Sequence, residues 1–470
     1  MKLLLAALSI SSVYAQPLQL HPAEVAGLVE RAAQALDAQI MAIAVTDRAG
    51  RPLAVYGKPG ASEDALETAL SLARTGAFFS SSQTPLSSRT IHAISREHFP
   101  DNFAGLPPLN TPAGPLFGIE NTNRGCHISE RYDLDKAIPR SLNISETGPG
   151  KGIATIPGGI PLFRSGDVIG GIGVAGIDPD AAEFSVFSAV SGTPFVSEFP
   201  APGALFVSGF RLPYIDRTAR PAGTRIDTSP VDPANYVIAP RAGEPVPESY
   251  LISPHAGSTL TADEVSKIVD NAVARASRTR AQLRLPLGTR ARLAIAVADL
   301  DGTILALYRM PDTTTFSNDV AATKARNAVY FSSPEADPRD IAEIPPGTAI
   351  TNRTIGFGAQ SLFPSGIANS EPGPFRDLFL RDLANPCTQG YQPPNANQSG
   401  VVFFPGSAPL YRNGQLAGGI GVSGDGVEQD DYVAAAGAAG FEAPDNLRAD
   451  QIFIRGVRLP YWEFPRNPEQ

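Results

Sequence analysis

The chain has 470 residues, 43% hydrophobic and 18% charged, with a formal net charge of −9 and 44 each of Gly and Pro. A single core stops growing near roughly 250–300 residues, so this length asks for two domains. An acidic balance without a Lys/Arg cluster argues against nucleic acid or an anionic membrane as partner. The Gly and Pro content asks for short elements and long connections.

Met1 and Lys2 precede the apolar stretch Leu3 to Ile10 and the small residues Val13 and Ala15. This is the pattern of a secretory signal peptide (1–15) rather than of a buried first element, and it predicts an extracellular protein. No later segment offers about 18 uninterrupted apolar residues, so no membrane partner is expected.

Self-comparison then finds three blocks that recur in the same order. The first is an amphipathic helix, with Val25, Leu28, Val29, Ala32 and Leu36 matched by Val265, Ile268, Val269, Ala272 and Ala276. Both sets fall on one helical face, and Thr261 with Glu264 forms a capping box. The second is a strand pair around an Asp-x-x-Gly turn, Ala42–Asp47 with Gly50 and Ala294–Asp299 with Gly302. It predicts a β-hairpin. A helix follows in each copy, ending at Phe79-Ser80-Ser81 and Phe331-Ser332-Ser333. In the last block, Pro161-Leu162-Phe163-Arg164 leads to Gly170-Gly171-Ile172-Gly173-Val174, and Pro409-Leu410-Tyr411-Arg412 leads to Gly418-Gly419-Ile420-Gly421-Val422. These are second hairpins whose glycines let another backbone come close. The copies span 20–217 and 259–465. Residues 218–258, rich in Pro, Gly and Ala, read as a linker or as an arm wrapping one domain. The stretches 82–155 and 334–400 read as loop inserts at the domain rims.

In the second copy, Gly419-Ile420-Gly421-Val422-Ser423-Gly424 is followed by Glu428-Gln429-Asp430 and an Ala-rich helix. With Ala296–Asp299, Tyr308-Arg309-Met310 and Lys324-Ala325, this resembles the GlcG-like, or haem-degrading-domain, family over most of each repeat. The resemblance implies an α+β class of two tandem profilin-like domains, each an antiparallel sheet flanked by helices. It also implies assembly into homo-oligomers and, for some members, binding or degradation of haem. The first copy departs from the pattern: Leu72 stands where the second has Lys324, and Ile177-Asp178-Pro179-Asp180 replaces Asp425 to Asp430. A site marked by the pattern is therefore expected in the second copy.

Lys324 in an apolar helix is a candidate base or Schiff-base former, or else an amine paired with an acid. Glu428 and Asp430, after a Gly-rich turn, are candidate acid/base groups, or else caps for the following helix. Arg412, Ser423 and Gly424 are candidate ligand contacts at that helix N-terminus. Haem needs an axial ligand such as His or Tyr. The histidines His92, His98 and His127 all lie in or near the first insert, whereas His255 lies in the linker. No spacing matches a metal motif, and no metal is expected. Cys126 and Cys387, the only cysteines, are either one disulfide or two thiols. Asn143, Asn352 and Asn397 head glycosylation sequons, which matter in a secreted eukaryotic protein. The leading expectation is a secreted small-ligand-binding protein with a pocket between sheet and inserts, mainly in the second copy. The alternatives are an enzyme that isomerises, hydrates or cyclises a small molecule, and a non-catalytic scaffold.

Overall fold

The computed structural model describes residues 19–38, 40–100, 111–122, 152–196 and 204–470. The signal-peptide segment, Cys126, His127 and Asn143 lie outside them. In the first repeat, α1 (Pro22–Ala35) leads to the hairpin β1 (Ala42–Asp47) and β2 (Pro52–Gly57), then α2 (Glu63–Phe79), α3 (Ser88–Ser95) and the short α4 (Ile119–Thr122). The second hairpin, β3 (Gly159–Arg164) and β4 (Asp167–Ala175), is followed by α5 (Pro179–Val190) and a two-residue pair, β5 (Phe206–Val207) and β6 (Phe210–Arg211). Two strands come from the connecting segment, β7 (Tyr236–Ile238) and β8 (Ser249–Ile252). The second repeat repeats the series: α6 (Ala262–Ala276), β9 (Ala294–Ala298), β10 (Ile304–Arg309), α7 (Ser317–Ser332), α8 (Asn352–Gly358), α9 (Arg376–Ala384), β11 (Ser407–Arg412), β12 (Gln415–Ser423), α10 (Val427–Gly437), and the pair β13 (Phe453–Ile454) and β14 (Val457–Arg458).

Each repeat is an antiparallel five-stranded sheet with helices on both faces, the α+β architecture expected. The strand orders are β3-β4-β1-β2-β7 and β11-β12-β9-β10-β8. The segment expected to be a linker therefore adds an edge strand to both sheets. Alternation along β1 sorts the faces. Ile43 and Val45 pack under α1 and α5, while Ala42 and Ala44 pack under α2. β9 divides in the same way between α6/α10 and α7.

The small-residue strands exist for the central helix. A Cβ on Gly173 would stand 2.1 Å from the Ala69 carbonyl oxygen, and one on Gly421 only 2.0 Å from that of Ala321. Gly421→Ala should thus force α7 off its sheet, at about 2–3 kcal/mol, read as a lower urea midpoint. α2 is buried from Ala69 to Phe79 and α7 along its whole length. In α7 that burial encloses Asp319, Lys324, Arg326 and Asn327. Two arginines tie these helices to the first hairpins, Arg74 Nε donating to the Gly50 carbonyl (3.1 Å) and Arg326 Nε to that of Gly302 (2.8 Å). Among the described residues, no helix is long and apolar enough to cross a membrane.

Candidate functional site

Lys324 and Asp430, proposed from sequence as separate groups, meet. Nζ lies 3.0 Å from the Asp430 carboxylate, donates to the Val422 carbonyl at 2.8 Å and sits 4.8 Å from the Phe404 ring centroid. Both residues are buried, Lys324 completely. Burial pushes the Lys324 amine down, opposed by Asp430, and lifts the Asp430 carboxyl to about 7, opposed by Lys324. The first repeat fills the same place with Leu72 and Ala182. Those two side chains flank Gly158 as Lys324 and Asp430 flank Gly406. Both charges are therefore replaced together between the repeats. Glu428 is not part of this contact; it is half-buried in the first turn of α10.

The neighbouring charges recur in both repeats. Arg353 on α8 pairs with Asp431 at 2.5 Å, as Arg89 on α3 pairs with Glu183 at 2.7 Å. Arg412 donates to the Thr259 carbonyl and pairs with Glu264, while Arg164 donates to that of Gln19 and pairs with Glu24. Each clamps the strand end to the first helix. Ser423 ends β12 opposite Ala294, and a Cβ on Gly424 would meet the Arg292 carbonyl at 2.5 Å. Asn352 corrects a sequence expectation. It is completely buried and its amide donates to Asn327 and to the Val402 carbonyl, so the folded chain offers no glycan acceptor there. The half-buried Asn397 donates to the Asp301 carbonyl. Cys387 is disulfide-bonded.

A cavity of about 430 Å³ lies instead where the two inserts meet. His92, Glu97, His98 and Glu120 of the first repeat line it, facing Phe379 and Leu383 of the second. Phe117 stacks on Phe379 with centroids 4.7 Å apart, and Arg376 pairs with Glu97 at 2.7 Å. These contacts seal the seam. His98 Nδ1 lies 2.8 Å from the Thr111 carbonyl oxygen. A carbonyl only accepts, so Nδ1 carries the proton and Nε2 of the neutral ring keeps its lone pair. His92 Nδ1 is 3.1 Å from the Thr155 hydroxyl, which itself donates to Glu120. A hydroxyl has one proton, so here too Nδ1 is the donor. An imidazole oriented through Nδ1 by a carbonyl or carboxylate is how proteins present Nε2 to a metal centre. Sequence placed both histidines in the insert. Their convergence on a wall of the second repeat depends on tertiary contacts that no local pattern encodes.

Comparison with known proteins adds relatives of modest identity. The corrinoid adenosyltransferase PduO of Citrobacter freundii is 26% identical over 212 residues, 44% of this chain and 47% of that protein. That of Salmonella typhimurium is 26% identical over 161 residues, 34% and 35%. The chain spans at most about half the length of these curated relatives. Among solved structures, the PduOC:heme complex is 23% identical (TM-score 0.24; 38% of this chain, 94% of that one). The Klebsiella pneumoniae protein ORFY is 19% identical (TM-score 0.26; 41% and 96%). The profile of the haem-degrading protein HbpS-like family matches twice, over residues 21–189 and 260–439. The chain thus belongs to the HbpS-like haem-degrading protein family and carries its domain in tandem.

Proposed function

We propose that this protein is a secreted binder of a small planar ligand of the haem class, held in the seam between the two inserts. The observation that carries this reading is His98, oriented through Nδ1 by the Thr111 carbonyl on the wall of a cavity that both repeats complete. Membership of the family supports it. The donor set fits the group: imidazoles suit an iron porphyrin, which fills its own equatorial positions and takes axial ligands from protein. His98 and His92 would hold the group, and Phe117 and Phe379 would supply the apolar wall. A porphyrin iron supplies ligand exchange and redox chemistry; the chain supplies orientation and exclusion of water.

In a haemin titration of the purified chain, a saturable Soret shift is expected, weakened at least about tenfold in His98→Ala, which is about 1.4 kcal/mol. An unchanged titration in that variant would remove the seam site. The acid/base reading has its groups in Lys324 and Asp430, whose pKa values are displaced in the manner of functional pairs. Their complete enclosure and joint replacement in the first repeat favour the binding reading.

A further inference from the structure

The two repeats use the hairpin-turn end of their sheets differently. In the first repeat this end is covered by the second repeat: Arg48 pairs with Asp312 at 2.9 Å, and Phe78 packs on Phe316 with centroids 6.1 Å apart. In the second repeat the same end is an open cleft of about 930 Å³, toward the upper end of the volumes that small-molecule sites occupy. Part of its wall comes from a segment that the first repeat lacks. Residues 80–87 join α2 to α3, whereas the longer link 333–351 joins α7 to α8 and brings Glu335 and Asp337 to the cleft. Asp340 in the same link is buried and accepts from the Tyr330 hydroxyl at 2.6 Å and from the Tyr391 amide at 2.7 Å, which fixes the link against α7.

Three replacements on the shared framework point to one ligand chemistry. Arg48 has its counterpart in Leu300, which removes a cation, and Phe78 and Phe163 have theirs in Tyr330 and Tyr411, which add two hydroxyls. Tyr330 uses its hydroxyl to hold Asp340. Tyr411 lines the cleft at 5% exposure, and its hydroxyl has no hydrogen-bond partner in the chain. A buried hydroxyl left unpaired is destabilising. Since phenylalanine builds this position in the first repeat, folding does not account for the hydroxyl. Glu335 and Asp337 are the only charged groups among the described lining residues. Asp337 pairs with the exposed Arg339 at 2.6 Å, while the exposed Glu335 makes no ion pair among the described residues.

We propose that the cleft of the second repeat binds a small organic cation, a protonated amine on an apolar body. Glu335 opposes its charge, Tyr411 offers its unpaired hydroxyl, and Leu300, Val329 and Leu416 cover the apolar part. An uncompensated carboxylate on a wall without basic groups disfavours an anion in the same place. The site is separate from the seam, whose lining shares none of these residues.

The test is calorimetric titration of the full chain with naphthylmethylamine, set against naphthylacetate as its anionic counterpart. Saturable binding of the amine is expected, about tenfold or more tighter than that of the acetate and weakened by salt. Glu335→Gln and Leu300→Arg should each weaken the amine about tenfold or more, the second by restoring the cation of the first repeat. Tyr411→Phe should weaken it too, with an unchanged or higher urea midpoint, whereas a tyrosine kept for the fold alone would lower that midpoint and spare the affinity. No saturable amine binding, equal binding of amine and acetate, or amine binding that Glu335→Gln and Leu300→Arg leave unchanged overturns the proposal. So does a Tyr411→Phe chain that loses stability and keeps its affinity. His98→Ala should leave the amine titration as it is in wild type, so this site and the haem-class site can fail independently.

Discussion

Lys324→Leu is expected to destabilise the second repeat by about 3–5 kcal/mol, because it leaves the Asp430 carboxylate buried without its partner. Adding Asp430→Ala should return stability to within about 1 kcal/mol of wild type, since apolar replacement of a whole buried pair is often neutral. The first repeat is the precedent: Leu72 and Ala182 occupy the same place beside Gly158 that Lys324 and Asp430 occupy beside Gly406. Urea unfolding of both single variants and the double variant closes the cycle. A double variant as unstable as the sum of the singles would show that the surroundings need the charges. Haemin binding retained in the double variant would separate the pair from the ligand site.

A second large effect is expected at Asp319, in the first turn of α7. Its carboxyl is buried, one oxygen lacks a protein partner, and burial lifts its pKa to about 8 against the pull of Arg326. The unfolded chain releases this proton near 3.8, the ordinary aspartate value, whereas the folded chain keeps it. The folded state thus binds more protons between about pH 4 and 8, and Asp319 stabilises most at low pH. Its contribution falls as pH rises through that window, by on the order of 1 kcal/mol per pH unit. Asp319→Asn should gain on wild type by about 2 kcal/mol or more between pH 5 and 7.5, read from urea midpoints. Parallel pH profiles would mean that the native carboxyl is already ionised.

Much of the fold is legible in the sequence because its repeats are local. The helix faces of Val25 to Leu36 and Val265 to Ala276, the Asp-x-x-Gly turns and the Gly-Gly-x-Gly strands each state their own element. The glycines also forecast a close backbone approach, and the approaching backbone is that of α2 or α7. The connecting segment misleads, since β7 and β8 are too short for a periodic signal and gain their place only by pairing with β2 and β10. At the site, Lys324 and Asp430 stand out as departures from apolar pattern, but only the fold shows that they neutralise each other. Arg412 stands out as a charge near a Gly-rich turn, while its partner Glu264 lies 148 residues away. His98 illustrates the remaining limit. Its chemistry depends on the Thr111 carbonyl and on Phe379, and nothing in the intervening sequence announces either contact.

Chemical rescue tests whether His98 is the ligand of a haem-class site in the seam. His98→Gly removes the imidazole and leaves the cavity wall of Phe117 and Phe379 in place. The expected result is a haemin Soret band lost or shifted in His98→Gly and restored by free imidazole, with no effect of imidazole on wild type at the same concentration. A His98→Gly variant that binds haemin with the wild-type spectrum and affinity, indifferent to imidazole, would contradict it.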